Sequence, residues 1–224
     1  MSYLTYTILL ALLHQQIASK AVPDTAENNG TSVSNTSVTD HFMYFAYGSN
    51  LLKERLQLKN PSAVFVTTGS LKDHVIKFGY WKKELLNNTN SWHGGVATIK
   101  ESKGDVVWGV VWKMDKDNRI SLDRQEGVGI GFYSPLDVTI NTDEGEILCR
   151  TYQMNNFTAH QTSPPYKQVV CLGAKQNGLP LDYIKKLEAV ETNGYSGPSI
   201  LDDITILKPA GKGKSLLMVP EERR

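Results

Sequence analysis

Cysteine is scarce. The 224 residues contain two, Cys149 and Cys171, too few for a disulfide framework and in no zinc-ligand spacing. They can pair in an oxidising compartment or serve as small buried apolar side chains. Sequence leaves both open, because a disulfide requires a particular Cα separation. Excess charge is missing too: 24 Lys+Arg stand against 23 Asp+Glu, a formal net charge of +1. That balance supplies no field to draw in nucleic acid or an anionic membrane, and neither is expected as a partner. No apolar run approaches the ~20 residues that cross a bilayer. His41, His74, His93 and His160 are scattered without ligand spacing, so no metal is expected.

What is present is ordinary for one sizeable core: 40% hydrophobic and 21% charged residues. The organisation is uneven, however. Residues 4–13 are apolar except for Thr and Tyr, and small residues follow, ending at Ser19-Lys20-Ala21. Residues 1–21 read as a signal peptide, against the alternative of a buried N-terminal helix or strand. Residues 22–41 are rich in Asn, Ser, Thr and Asp and cannot bury enough surface to offset ordering, so a disordered leader is expected. Glycosylation sequons stand at Asn29 and Asn35 in this leader, and at Asn87-Asn88-Thr89 and Asn156 beyond it. Together with the apolar start they point to a secreted glycoprotein. Residues 42–208 form the expected folded domain, and 209–224 a loosely held polar tail.

Within the domain, 42–46 is a short apolar run bounded by Gly48 and reads as a buried strand. Residues 51–58 place Leu51, Leu52, Leu56 and Leu58 around Lys53, Glu54 and Arg55, an amphipathic helix stopped by Asn60-Pro61. Strands are expected at 63–68, 75–79, 95–100, 105–114, 132–141 and 146–154. Both faces of 105–114 are apolar, as in a central strand. Thr142-Asp143-Glu144-Gly145 signals a hairpin. Helices are expected at 115–125, capped by Asp115 or Asp117, and at 166–176 and 180–189. Helices do not alternate regularly with strands, so the fold class is α+β rather than doubly wound.

Two places can carry chemistry. Tyr47-Gly48-Ser49-Asn50 lies between a buried strand and a helix. It is either a plain turn capped by Ser49 or Asn50, or a cradle whose free N–H groups hold a carboxylate or phosphate. It lacks the Gly-Lys-Ser/Thr ending of a phosphate loop, and Ser49 lacks the following glycine of a nucleophile elbow. The second is Glu126, at the end of a helix against Gly127. A carboxylate there faces the negative end of the helix dipole, and desolvation adds to this. Both effects raise its pKa toward the value that suits a base at neutral pH. An exposed terminal glutamate is the plainer alternative. Gly127-Val128-Gly129-Ile130-Gly131 fails as a dinucleotide loop, since Phe132 follows and then a strand. It reads as a flexible turn that lets the chain pass close to a ligand.

Tyr44-Phe45-Ala46-Tyr47-Gly48-Ser49-Asn50, Trp108-Gly109-Val110-Val111-Trp112 and Gln125-Glu126-Gly127, in this order and spacing, resemble the γ-glutamylcyclotransferase family. Asn60-Pro61-Ser62-Ala63, Trp92-His93-Gly94-Gly95 and 173–180 extend the likeness, which is to the animal cytosolic type. The resemblance implies a small mixed β-barrel flanked by helices, a homodimer, no cofactor, and a small-molecule γ-glutamyl dipeptide as substrate. It implies Glu126 as catalytic acid/base. Tyr44, Phe45, Ala46, Tyr47, Gly48 and Ser49 would bind the glutamyl end through backbone N–H groups, with Tyr152 and Tyr166 lining the pocket. The reaction would be closure of the γ-glutamyl group to 5-oxoproline with release of an amino acid. Its alternatives are a cyclotransferase for γ-glutamylamines, or a secreted binding protein that keeps the pocket without turnover.

Overall fold

In the computed structural model, residues 40–81, 90–201 and 204 are described. The expected signal peptide, most of the leader with Asn29 and Asn35, the sequon Asn87-Asn88-Thr89 and the polar tail lie outside them. The elements run β1 (His41–Ala46), α1 (Lys53–Gln57), β2 (Val64–Trp81), β3 (Val96–Asp115), α2 (Asp117–Gln125), β4 (Tyr133–Thr142), β5 (Gly145–Met154), β6 (Phe157–Ala159), α3 (Pro164–Gln176) and α4 (Leu181–Glu188). Single 3₁₀ turns at Ser49–Leu51 and Val128–Ile130 flank the two chemically interesting segments.

The sheet closes on itself. Its order is β3-β1-β5-β4-β2, with β2 returning to β3, and β6 attached to the far end of β2. Only β1 and β5 run parallel, meeting at Tyr44 and Arg150; the other pairs are antiparallel. The result is the small mixed β-barrel with a few helices that the family resemblance implies. Phe45, Leu51, Leu56, Ile99, Trp112 and Leu122 are fully enclosed in its core. A strand lying between two neighbours in such a ring has no solvated face to fill with polar residues, hence the continuous run Tyr44-Phe45-Ala46 in β1.

Four expected strands are two. Segments 63–68 and 75–79 are both parts of β2, and 95–100 and 105–114 both parts of β3. The sequence breaks mark irregularities within long strands rather than their ends. Lys72 pairs with Val106 and His74 with Glu101, so residues 102–105 of β3 bulge outward opposite Asp73. The Gly104 N–H donates to the Asp73 carboxylate at 2.8 Å. A bulge of this kind bends a strand without ending it. Val106, just past the bulge, is exposed, so this face of the strand is apolar without being covered there. The expected side-chain caps of the first two helices are also absent. The chain enters α2 through Lys116 without a side-chain cap, and neither Ser49 nor Asn50 caps the turn or α1. By contrast α3 starts as its Ser-Pro-Pro sequence directs. Ser163 accepts from the Tyr166 N–H, with Pro164 at the first helical position. Cys149 and Cys171 are both buried as free thiols, which settles their reading in favour of small apolar side chains.

Candidate active site

Glu126 caps the C-terminus of α2, directly after Gln125. Gly127 then takes a left-handed conformation (φ 65°), which glycine adopts without penalty, and this turns the chain away. The carboxylate is partly buried and reaches a narrow cavity lined by Tyr44, Tyr47, Gly48, Ser49, Asn50, Ala97, Tyr133, Tyr152 and Tyr166. A wider cavity of about 500 Å³ adjoins it and shares Ser49, Glu126, Tyr133 and Tyr166. Residues 82 positions apart in the chain, Tyr44 and Glu126, therefore face one space.

A chain of amides holds the carboxylate. The Ser121 hydroxyl donates to Asn60 Oδ1 (2.6 Å), and Asn60 Nδ2 to Gln125 Oε1 (3.0 Å). Gln125 Nε2 donates to Asn50 Oδ1 (2.9 Å), and Asn50 Nδ2 to Glu126 Oε1 (3.0 Å). The Asn50 amide also donates to the Tyr44 hydroxyl at 2.9 Å. No hydrogen bond among the described residues takes Glu126 Oε2. Asn50 and Asn60 are buried, and buried amides must be satisfied, so this network has one arrangement and fixes the glutamate with it.

Burial raises the Glu126 pKa to about 7; the positive Arg55 and the Asn50 and Gln125 amides pull it down, and Asp123 pushes it up. The Asp123 charge is itself spent on Arg150, at 2.7 and 3.0 Å, and on the Tyr152 hydroxyl, at 2.5 Å. The phenols of the cavity are all held well above their usual pKa, mainly by burial, and stay neutral. Three are committed as donors: Tyr47 to the Tyr152 carbonyl, Tyr133 to the Ala97 carbonyl and Tyr152 to Asp123. The Tyr44 and Tyr166 hydroxyls accept, from Asn50 and from the Ala97 N–H. Tyr166 also interacts with the Ser49 backbone and side chain. Asn50→Ala should therefore raise the Glu126 pKa further, and a pH–rate profile checks this as an upward shift of the acid limb.

Glu126, Tyr44, Tyr47, Gly48, Ser49, Tyr152 and Tyr166 thus converge. Phe45 and Ala46 do not line the cavity. Both are fully buried in the barrel wall, paired with Val111 and Val110, and the Phe45 carbonyl accepts from Thr151 at 2.9 Å. Gly127-Val128-Gly129-Ile130-Gly131 does not line it either, although Glu126 and Phe132 on either side of this turn line the outer cavity. The sequence reading missed Ala97, Tyr133 and the role of the Asn50 side chain. Tyr133 carries no signal beyond an aromatic at the start of a strand. Gly48 is needed for space: a Cβ there would sit 3.0 Å from the Tyr166 hydroxyl and 3.1 Å from the Ala97 Cβ. Gly48→Ala is expected to raise KM about tenfold with little change in Tm, because the added methyl enters the cavity rather than the core.

The sequence profile of the AIG2-like family matches residues 106–187. The chain is 52% identical over 177 residues to the γ-glutamylcyclotransferase of Bos taurus, covering 79% of this chain and 92% of that protein. It is 48% identical over 178 residues to the one from Homo sapiens, covering 79% and 93%. A solved γ-glutamyl cyclotransferase structure superposes with a TM-score of 0.70 at 50% identity, covering 74% of this chain and 99% of that one. Identity at this level over nearly the whole length of these relatives, joined to a common barrel, shows that the chain belongs to the γ-glutamylcyclotransferase family.

Proposed function

We propose that this chain converts γ-glutamyl-amino acids to 5-oxoproline and a free amino acid, with Glu126 as the acid/base. The observation that carries the mechanism is a carboxylate with a pKa near 7 in a cavity otherwise lined by neutral donors. The substrate's α-ammonium, with an ordinary pKa of about 8, is attracted to the ionised glutamate. Glu126 removes one proton and frees the lone pair. The amine attacks the γ-carbonyl of its own side chain, a carbon–nitrogen bond forms, and the carbonyl electron pair moves to oxygen. Collapse of that intermediate breaks the bond to the leaving nitrogen, which Glu126 protonates. The ring nitrogen keeps one hydrogen, and the two protons it sheds depart with the leaving amine as an ammonium. Holding the substrate bent for ring closure lowers the barrier, because the reacting atoms no longer lose freedom on the way to the transition state. The Tyr44 and Tyr166 hydroxyls and the N–H groups of the turn at 48–50 supply donors for the substrate carboxylate and the developing oxyanion.

The test is release of 5-oxoproline from a panel of γ-glutamyl-amino acids across pH. The expected kcat/KM profile is a bell. Activity falls below about 7, where Glu126 takes up a proton, and above about 8, where the free substrate loses its ammonium. A profile flat between pH 5 and 7 would remove Glu126 from this role.

Secretion is part of the same proposal. Residues 1–21 and the four acceptor sequons support it, and Asn156 lies exposed at the β5–β6 turn. Expression in a eukaryotic secretory system, with a mass shift on removal of N-glycans from the medium, checks it. A homodimer is likewise proposed. The exposed apolar run Val64, Phe65 and Val66 is a candidate surface for a second copy, and light scattering reads the outcome.

A further inference from the structure

The outer cavity contains a cation with no assigned task. Arg55, on α1, lines it together with Glu126 and Trp92. Its guanidinium carbon stands 5.8 Å from the Trp92 ring centroid, and its Nε is enclosed without a hydrogen-bond partner. The carboxylates that might neutralise it are engaged elsewhere. Neighbouring Glu54 accepts from Gln176 at 2.8 Å, and Asp123 is bound to Arg150. Glu126 takes its hydrogen bonds from Asn50 and Gln125 and forms no ion pair with Arg55. Glu126 attracts the half-buried guanidinium only at longer range, and the guanidinium's planar fork fits a carboxylate with two parallel bonds.

The position of the reacting bond identifies the carboxylate. On the cyclotransferase reading, the glutamyl end occupies the inner cavity and the scissile nitrogen lies at Glu126, the residue common to both spaces. What is attached to that nitrogen occupies the outer cavity. For a γ-glutamyl-amino acid that group carries an α-carboxylate two bonds from the nitrogen, within the space that Arg55 lines. We propose that Arg55 binds the α-carboxylate of the leaving amino acid. It thereby makes the outer cavity selective for γ-glutamyl-amino acids over γ-glutamylamines. Lys59, on the same cavity, adds positive charge. Trp92 supports the guanidinium through its ring face.

This inference rests on the proposed reaction, and the experiment separates the two. Kinetics are measured for the wild type, Arg55→Met and Arg55→Lys on γ-glutamyl-alanine and on γ-glutamyl-alaninamide, which differ only in that carboxylate. The wild type should favour the acid by roughly 10- to 100-fold in kcat/KM, the scale of one charge-assisted pair. R55M should abolish the preference through a higher KM for the acid, while the amide changes only by the shift of the acid limb, and R55K should keep part of the preference. Because each ratio compares two substrates on one protein preparation, a reduced folded fraction cancels. Removing the positive charge also shifts the acid limb upward, equally for both substrates, so that effect is read separately from the ratio. Equal turnover of acid and amide by the wild type, or an equal loss of both in R55M, overturns the role of Arg55 while leaving the reaction standing. Release of 5-oxoproline from neither substrate by the wild type overturns the reaction and the inference with it.

Discussion

Glu126→Gln should lose about 1,000-fold or more in kcat while still binding γ-glutamyl substrate, because one group both takes the amine proton and delivers a proton to the leaving nitrogen. The amide of Gln fits the same space, and its oxygen still accepts from Asn50, which in the native protein donates at 3.0 Å. Stability provides the control. The Glu126 pKa of about 7 lies above its ordinary 4.5. The unfolded chain therefore gives up this proton at lower pH than the folded one. The folded state loses nothing to Glu126 below pH 4.5, loses progressively between 4.5 and 7, and bears the whole cost above 7. Gln carries no such cost. Glu126→Gln should match the wild type at pH 4 and exceed it at pH 8, by roughly 2 kcal/mol once water at the partly exposed carboxylate is allowed for. Urea unfolding at the two pH values measures this. A variant both inactive and stabilised at high pH places Glu126 in the chemistry. Turnover within a few-fold of the wild type would remove the mechanism.

Gly173→Ala should lower Tm by roughly 10 °C and cut kcat/KM, although residue 173 touches no substrate. In α3 the missing Cβ of Gly173 would lie 2.3 Å from the Leu52 nitrogen and 2.5 Å from the Leu51 carbonyl carbon. These are backbone atoms that cannot rotate away. The helix thus lies directly on the 3₁₀ turn whose first residues, Ser49 and Asn50, line the cavity. The contact is reinforced: Asn177 Nδ2 donates to the Leu51 carbonyl at 2.8 Å, and the Lys53 N–H to Gln176 at 3.0 Å. An inserted methyl must push helix and turn apart. Overpacking of this kind costs about 3 kcal/mol at the upper end, worth some 2–4 °C per kcal/mol in a domain of this size. The displaced turn carries Asn50 away from Glu126. Thermal unfolding and steady-state kinetics check the two effects together, and an unchanged Tm would mean that the turn yields freely.

How far the sequence discloses this architecture depends on the range of the interaction concerned. The turn at Gly48 and the stop at Gly127 are local events, and both stand in the structure. The start of α3 at Ser163-Pro164 is local as well. The continuity of β2 and β3 is not local. Polar residues at 72–74 and 101–105 look like strand ends, and only the cross-strand register reveals a bulge. The three-residue β6 is too short to show any alternation. Asn50 illustrates why the candidate site was only half legible. An Asn just before a helix satisfies every local rule for a cap. Its partners, Gln125 and Glu126, come from 75 and 76 residues away, and nothing near Asn50 in the chain announces them. Phe45 and Ala46 are the reverse case: adjacent to cavity residues in sequence, they are taken up by the ladder. Arg55 reads as the polar face of an amphipathic helix, and only the folded protein places it on the outer cavity, without an ion pair among the described residues.

The closed ring has a consequence for how the protein fails. Its seam joins the first strand to segments some seventy to a hundred residues further on, with Phe42 against Met114 and Tyr44 against Arg150. The cavity takes walls from both sides of that seam. No fragment that lacks the far side of the seam, and no intermediate with the ring still open, assembles the whole constellation. Such distant pairings are slow to find, so refolding should restore catalysis in step with the last strand to dock, never ahead of it. Molecules caught partway along the route are silent rather than impaired, and the specific activity of a preparation counts its completed barrels.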